Sequence, residues 1–376
     1  MKITIVLGAF FPVPPRMGGA VEKVWFALGQ EFARQGHEVV QISRTHPQLP
    51  ARETIGGVRH IRVSGFAQPR SSLWLKLLDL IYSVRVRFVL PRADILVTNT
   101  FWLPMLVRGR APGLVYVHVQ RGPKGQMRWY AHVARLLAVS RAIADAIIAQ
   151  APHLREKVRV IPNALPLPVV NQSGATRERT VLFVGRIHPE KGLEVLLRAW
   201  HRLPAELLCR WRLKLIGPSD SHLGGGGQKF LDQLQAIEPT SGARIEWAGP
   251  VFNDDELAAH YRSALLFIYP SIAETGEALP VAPLEAMANG CAPIVSDLSC
   301  FRDYIDDGVT GFVFDHRAVD PAETLSTRLA VWLQKSNEEL ARVGEAARAR
   351  AQEFAVGPVA QRYLADFESL LAAARE

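Results

Sequence analysis

Three cysteines in 376 residues, Cys209, Cys291 and Cys300, are too few and too scattered for a disulfide framework, and no CxxC pair is present to hold a structural zinc. A reducing, cytoplasmic setting is the expectation. Long apolar runs are missing as well: no stretch approaches the roughly 20 residues that a membrane-spanning helix requires. The opening MKITIVLGAFFPVPP reads as a strand entering a turn and lacks a small-residue cleavage site, so a signal peptide is not expected. Neither the dinucleotide fingerprint GxGxxG nor a P-loop appears. LGAFFPVPPRMGGA follows the first apolar run, VGRIHPEKG opens the second half, and the glycine run at 224–227 lacks the Lys-Ser/Thr of a P-loop. This argues against a nicotinamide oxidoreductase, and the four glycines read as a flexible surface loop.

Acid is scarce in one half only. Residues 1–170 hold 23 Lys and Arg against 8 Asp and Glu, whereas the remainder holds 21 against 28. Such asymmetry predicts an anionic partner for the first half, either an acidic membrane leaflet or nucleic acid. No nucleic-acid-reading motif accompanies the charge, which leaves a non-enzymatic nucleic-acid binder as the weaker reading.

What is present is an α/β pattern stated twice. KITIVLG, HEVVQIS, ADILVTN and GLVYVHV suit strands, and AVEKVWFALGQEFARQG places Val21, Val24, Trp25, Leu28 and Phe32 at helical spacing before Gly36. TVLFVG, RLKLIG, RIEWAG, LLFIYP, CAPIVS and GFVF repeat the pattern after residue 180, beyond the linker-like IPNALPLPVVNQSGATRER. Alternating strands and helices predict two Rossmann-like domains facing each other across a cleft, over 1–165 and 175–356. The helical stretch 357–376 is free to pack back on the first.

In open parallel sheets ligands sit beyond the carboxyl ends of the strands. Arg186 and Lys191, on the loop leaving TVLFVG, are placed to grip a diphosphate, or else to be solvated loop cations. Beyond LLFIYP comes ETGEALPVAPLEAMANG, with Glu277 in the loop and Glu285 in the expected first turn of a helix whose start suits Pro280 and Pro283. Free amides there would favour an anion; an acid set against the helix dipole explains Glu285 equally. Gly18 and Gly19 precede the first helix, where backbone can approach a phosphate or simply turn. His118 ends a strand, at the expected cleft rim.

Together these stretches resemble the retaining nucleotide-sugar glycosyltransferases of GT-B fold, family four. GEALPVAPLEAMANG is similar to the family's paired-glutamate motif and is the most specific part of the resemblance, with VGRIHPEKGLEVLLRAW next; VRVIPNALP resembles the segment joining the domains and LAVSRAIADAII the helical region before it. The resemblance implies that Arg186 and Lys191 neutralise the donor diphosphate and that Glu285 holds the ribose hydroxyls. It gives Glu277 the donor sugar, with the amides of Ala278, Leu279 and Val281 helping to bind sugar or phosphate. Gly18 and Gly19 would bring backbone to the diphosphate, and His118 would lie near the reacting carbon. The sequence departs from the pattern where Ala278-Leu279-Pro280-Val281 replaces the usual Gly-Phe-Gly-Leu, where Ala164 follows Asn163, and where Asp303 stands for a glutamate.

The implied reaction moves a hexose-type sugar from a nucleoside diphosphate to an acceptor hydroxyl with retention. Uridine diphosphate is the expected carrier, with guanosine or adenosine diphosphate as alternatives, and no further cofactor is expected. No DxD motif is present, so the implied site works without a metal; Asp254-Asp255 and Asp306-Asp307 read as caps or solvated acids. A nucleotide-sugar epimerase or a phosphorylase would use the same grip. SSLWLKLLDLIYSVRVRFVLPR mixes apolar and basic residues and reads either as a core helix or as an amphipathic helix on an anionic leaflet. The second reading implies a lipid-linked acceptor, in envelope polysaccharide or glycolipid assembly, and a peripheral position on the inner face of the cytoplasmic membrane.

Overall fold

The computed structural model describes residues 1–17, 19–69, 71–109, 111–165, 177–237, 242–275 and 277–374. The chain divides into two compact units, Met1–Pro166 with Ala355–Glu376, and Leu167–Phe354.

In the first unit β1 (Lys2–Val6) is followed by α1 (Ala20–Arg34), β2 (Glu38–Arg44), β3 (Arg52–Ile55), β4 (Val58–Val63) and α2 (Ser72–Arg87). Then come β5 (Ile95–Thr98), the short α3 (Leu103–Leu106), β6 (Leu114–Val119), β7 (Arg135–Ala138), α4 (Arg141–Gln150) and β8 (Val158–Val160). The eight strands run β3-β4-β2-β1-β5-β6-β7-β8. All pairs are parallel except the β3–β4 hairpin, which turns on Gly56 and Gly57 at φ 56° and 79°. Two left-handed residues are what a two-residue hairpin demands, and glycine adopts them without a Cβ penalty. β1 buries every residue after Lys2, as a central strand covered on both faces must.

The second unit comprises β9 (Glu178–Val184), α5 (Leu193–His201), α6 (Ala205–Leu208), β10 (Arg212–Ile216), α7 (Gln228–Gln235), β11 (Ile245–Gly249) and α8 (Asp254–Ser263). It continues with β12 (Ala264–Tyr269), α9 (Val281–Ala288), β13 (Ala292–Ser296), β14 (Phe312–Phe314), α10 (Pro321–Leu333) and α11 (Asn337–Ala351). Its six strands, ordered β11-β10-β9-β12-β13-β14, are all parallel. The order reverses between β9 and β12, and at such a switch point the loops leave in opposite directions and open a crevice.

The last helix, α12 (Val356–Ala373), belongs to the first unit. Val359, Ala360, Tyr363 and Phe367 share one core with Val24, Trp25, Leu28 and Phe32 of α1. Arg135 and the Tyr116 hydroxyl donate to Asp366 at 2.7 and 2.8 Å, which fixes the helix along its length. The segment that resembles the family's pre-linker helix is divided: Leu137 and Ala138 finish β7, and Ser140 caps α4 by accepting from the Ile143 amide. Val158–Val160 of the expected joining segment forms the edge strand β8. Of the expected linker, residues 166–176 lie outside the described residues.

Candidate functional site

The loops after β9, β10 and β12 close on one another because two glycines let backbone approach backbone. A Cβ on Gly217 would lie 1.8 Å from the Gly185 carbonyl oxygen, so the loops after β10 and β9 pack only with glycine there. Gly192, at φ 67°, starts α5; a Cβ on it would lie 2.0 Å from the Pro270 carbonyl oxygen. This contact presses Pro189–Lys191 against the loop after β12, where the Ile272 amide donates to the Glu190 carbonyl at 3.0 Å.

Lys191 is thereby only 7% exposed. Its Nζ donates to Oε1 of Glu277 at 2.5 Å and stands 5.1 Å above the Tyr269 ring. The same carboxylate oxygen accepts from the Tyr269 hydroxyl at 3.2 Å and from Ser271 Oγ at 2.8 Å. A buried ammonium is tolerated because a carboxylate and a π face replace its water. Burial first, then the Glu277 charge and hydrogen bond, raises the Tyr269 phenol well above its usual pKa, so it remains a donor.

Arg186 is half-exposed and donates to Glu190 at 2.6 Å and to the Gly224 carbonyl at 2.7 Å. Glu190 Oε1 also lies 3.8 Å from Lys191 Nζ, so one acid stands between the two cations. Sequence reading named Arg186 and Lys191 but missed Glu190, Ser271 and Tyr269. The signal for Glu190 was an acid four positions after the arginine, in PEKG. Two cations and two carboxylates meet here, and each cation is already paired with an acid.

The glycine run differs from expectation. The amides of residues 224–227 donate to the carbonyls of Ser221, Asp220, Ile187 and Ser219, at 3.2, 2.8, 2.8 and 2.8 Å. It is a packed buttress for Arg186, not a free loop, and its amides are already committed.

Glu285 also moves. Pro280 is the N-cap of α9 and Val281 its first residue, which puts Glu285 in the second turn and leaves the first turn without an acid. The dipole explanation is correspondingly weak, because that effect fades beyond the first turn. Its Oε2 accepts from the Tyr261 hydroxyl at 3.1 Å; burial first, then the Glu285 charge and hydrogen bond, raises that phenol well above its usual value. Ala278 and Leu279 bury their side chains before the helix, and Val281 is half-buried.

In the first unit, His118 is the penultimate residue of β6 and is buried, not exposed on a rim. The Trp25 indole donates to its Nδ1 at 3.1 Å, and the rings meet edge to face at 5.1 Å. Burial lowers its pKa to about 3, so the ring is neutral near pH 7, and accepting at Nδ1 puts its proton on Nε2. Gly19 caps α1 at φ 96°, with Oε2 of Glu22 only 2.2 Å from where a Cβ would stand. Burial raises the Glu22 carboxyl to about 7. Gly18 lies outside the described residues.

Known proteins resemble this chain over most of its length. Residues 17–167 match the family model Glycosyltransferase Family 4, and residues 170–350 match Glycosyl transferases group 1. The lipopolysaccharide 1,2-N-acetylglucosaminetransferase of Salmonella typhimurium is 23% identical over 330 residues, covering 83% of this chain and 84% of the relative. The phosphatidyl-myo-inositol mannosyltransferase of Mycobacterium tuberculosis is 32% identical over 153 residues, 40% of this chain and 36% of that one. Among solved structures, HepE of Anabaena in complex with UDP and glucose superposes with a TM-score of 0.69 at 16% identity, over 98% of this chain and 100% of that one. The chain belongs to the family-four glycosyltransferases of GT-B fold, and it is a sugar-transferring enzyme. The epimerase, phosphorylase and nucleic-acid-binder readings are not favoured.

Proposed function

We propose that the enzyme transfers a hexose-type sugar from a nucleoside diphosphate, with UDP as the first candidate carrier, to a lipid-linked acceptor with retention of configuration. The observation that carries the donor assignment is the Arg186–Glu190–Lys191–Glu277 array at the switch point between β9 and β12. A diphosphate is the ligand that exchanges readily into it, because it offers Arg186 a bidentate acceptor and Lys191 a second anion.

In the proposed step the bond from C1 of the sugar to the diphosphate oxygen breaks, and the electron pair leaves with the diphosphate. The acceptor hydroxyl oxygen bonds to C1 on the same face, and its proton passes to the departing phosphate oxygen. Arg186 and Lys191 stabilise the charge that develops on the leaving group, in the place a metal would take. Glu277 contacts the sugar and holds Lys191 in position. Glu285 takes the ribose, and the amides of Ala278, Leu279 and Val281 assist. Within the first unit, His118 presents a neutral ring and Gly19 a side-chain-free backbone as candidate sugar and phosphate contacts.

The names of the Salmonella and Mycobacterium relatives support a lipid-linked acceptor and work at a membrane face. The test is a thermal-shift screen with UDP, GDP and ADP, followed by product analysis with the sugar nucleotide of whichever stabilises the chain. Selective stabilisation and an α- or β-linked product matching the donor anomer support the reading; no shift with any nucleotide overturns it.

A further inference from the structure

α2 is inside out. An ordinary surface helix turns its apolar stripe to the core and its polar face to water. Here Asp79 and Ser83 are buried with Tyr82 and Val86, while Leu73, Trp74, Leu77, Ile81, Val84 and the capping Phe88 face solvent. Leu73 is 75% exposed, Trp74 57% and Phe88 84%. At 100° per residue these six fall within an arc of about 100°. Arg85 borders one edge of the arc, Lys76 and Arg87 the other, all three exposed.

The orientation is pinned by polar contacts that a rotated helix would lose. Asp79 Oδ2 accepts from the backbone amides of Phe101 and Trp102 at 3.0 and 3.2 Å. The Trp102 indole donates to the Lys76 carbonyl at 2.8 Å, and Arg85 donates to the Ser64 carbonyl at 2.8 Å. Lys76 lies over the Phe101 ring at 5.3 Å, and Phe101 in turn contacts Trp129, which is exposed beside Arg128. The stripe thus continues into a rim of tryptophan and arginine, side chains that settle at the boundary between hydrocarbon and headgroups.

We propose that this face of α2 seats the enzyme on an anionic lipid bilayer, with the six apolar side chains entering the headgroup–acyl boundary and Lys76, Arg85 and Arg87 on anionic headgroups. Charge selects this occupant. Residues 64–93 contain five Lys and Arg and a single acid, the buried Asp79. A second copy docked face to face would oppose like charges with no exposed acid on the helix to answer them. Nucleic acid would satisfy the cations but bury six apolar side chains against phosphates. A leaflet of anionic lipid satisfies both.

The surface deepens the lipid-acceptor reading above and takes its purpose from it, yet its test involves no turnover. The full chain is sedimented with vesicles of phosphatidylcholine, with and without phosphatidylglycerol, at low and high salt. Binding should require phosphatidylglycerol and weaken at high salt. Leu77→Asp/Ile81→Asp should weaken it at least about tenfold at every salt, the loss of two insertions. Lys76→Glu/Arg87→Glu should abolish the preference for phosphatidylglycerol. Both variants alter exposed positions, and unchanged melting temperatures and nucleotide-induced shifts would show that both units remain folded. Absence of wild-type binding at low salt, or variants that bind like wild type, overturns the proposal. So does a wild-type dimer in sedimentation that Leu77→Asp/Ile81→Asp dissociates without any vesicle binding. Vesicle binding by an enzyme that transfers sugar only to a water-soluble acceptor would sink the acceptor reading alone, and transfer to a lipid-linked acceptor without vesicle binding would sink this surface alone.

Discussion

Lys191 and Glu277, 86 residues apart, form a buried ion pair of 2.5 Å that joins the loops after β9 and β12. Each residue is the reason the other can be buried. Removing the cation strands a carboxylate among Tyr269 and Ser271, whereas removing both charges strands nothing.

Lys191→Met should therefore destabilise the protein by about 3–5 kcal/mol, and Lys191→Met/Glu277→Gln by clearly less. Denaturant unfolding of the two variants decides it. A double variant as unstable as the single one would show that the pair does not act as a unit. Both should be nearly inactive under the proposed mechanism.

Arg186 offers the opposite combination. It is half-exposed and its partners, Glu190 and the Gly224 carbonyl, stay hydrated when it is removed. Arg186→Ala should leave unfolding within about 0.5 kcal/mol of wild type. The loss should instead appear in turnover, at about 2–4 kcal/mol of transition-state stabilisation. Normal turnover would remove it from the leaving-group site.

Gly19→Ala meets two obstacles, the positive φ of 96° and Oε2 of Glu22. A loss of about 1–3 kcal/mol is expected from the backbone conformation. Adding Glu22→Ala removes the clash but not the strained φ, so Gly19→Ala/Glu22→Ala should remain less stable than Glu22→Ala alone. Equal unfolding free energies for those two proteins would refute the conformational argument.

Glu22 also sets a pH dependence. Burial raises its folded pKa from 4.5 to about 7, so the folded protein holds the proton more tightly than the unfolded chain does. Stability from this group is complete below about pH 4.5 and is lost as pH rises toward 7, some 2.5 pH units or about 3 kcal/mol. Glu22→Gln should flatten that portion of the profile. Because the buried Asp79, raised to about 6, bends the curve in the same sense, the informative quantity is the difference between wild type and variant at pH 5 and pH 8. His118 works in the other direction: its pKa is depressed to about 3, so its contribution is lost as pH falls below 6.5.

Much of the fold was legible because central parallel strands are unambiguous. KITIV, TVLFV and ALLFIY are apolar on both faces, and nothing but a covered sheet accommodates them. The strands toward the two sides of the first sheet were less legible. RETI and VRHIRV alternate with arginines, and RLLA runs straight into a helical segment, so only pairing with neighbours identifies them. In the candidate site, Arg186, Lys191, Glu277 and Glu285 stood out as charged groups on strand-end loops. Tyr269 and Ser271 did not, because a tyrosine and a serine in a strand end look like packing until a carboxylate is set beside them.

The amino-acid order by itself determined the central strands, the α/β alternation and which loops carry the charged groups. Those properties follow from local periodicity and from the restrictions that glycine and proline place on backbone. The tertiary structure alone decided what each charge does. Lys191 is a buried partner rather than a solvated cation, Glu285 answers a tyrosine rather than a helix dipole, and α2 turns its apolar stripe outward. These outcomes depend on contacts between residues far apart in the chain, and the energy of a charged or apolar side chain is set by the neighbours that replace its water.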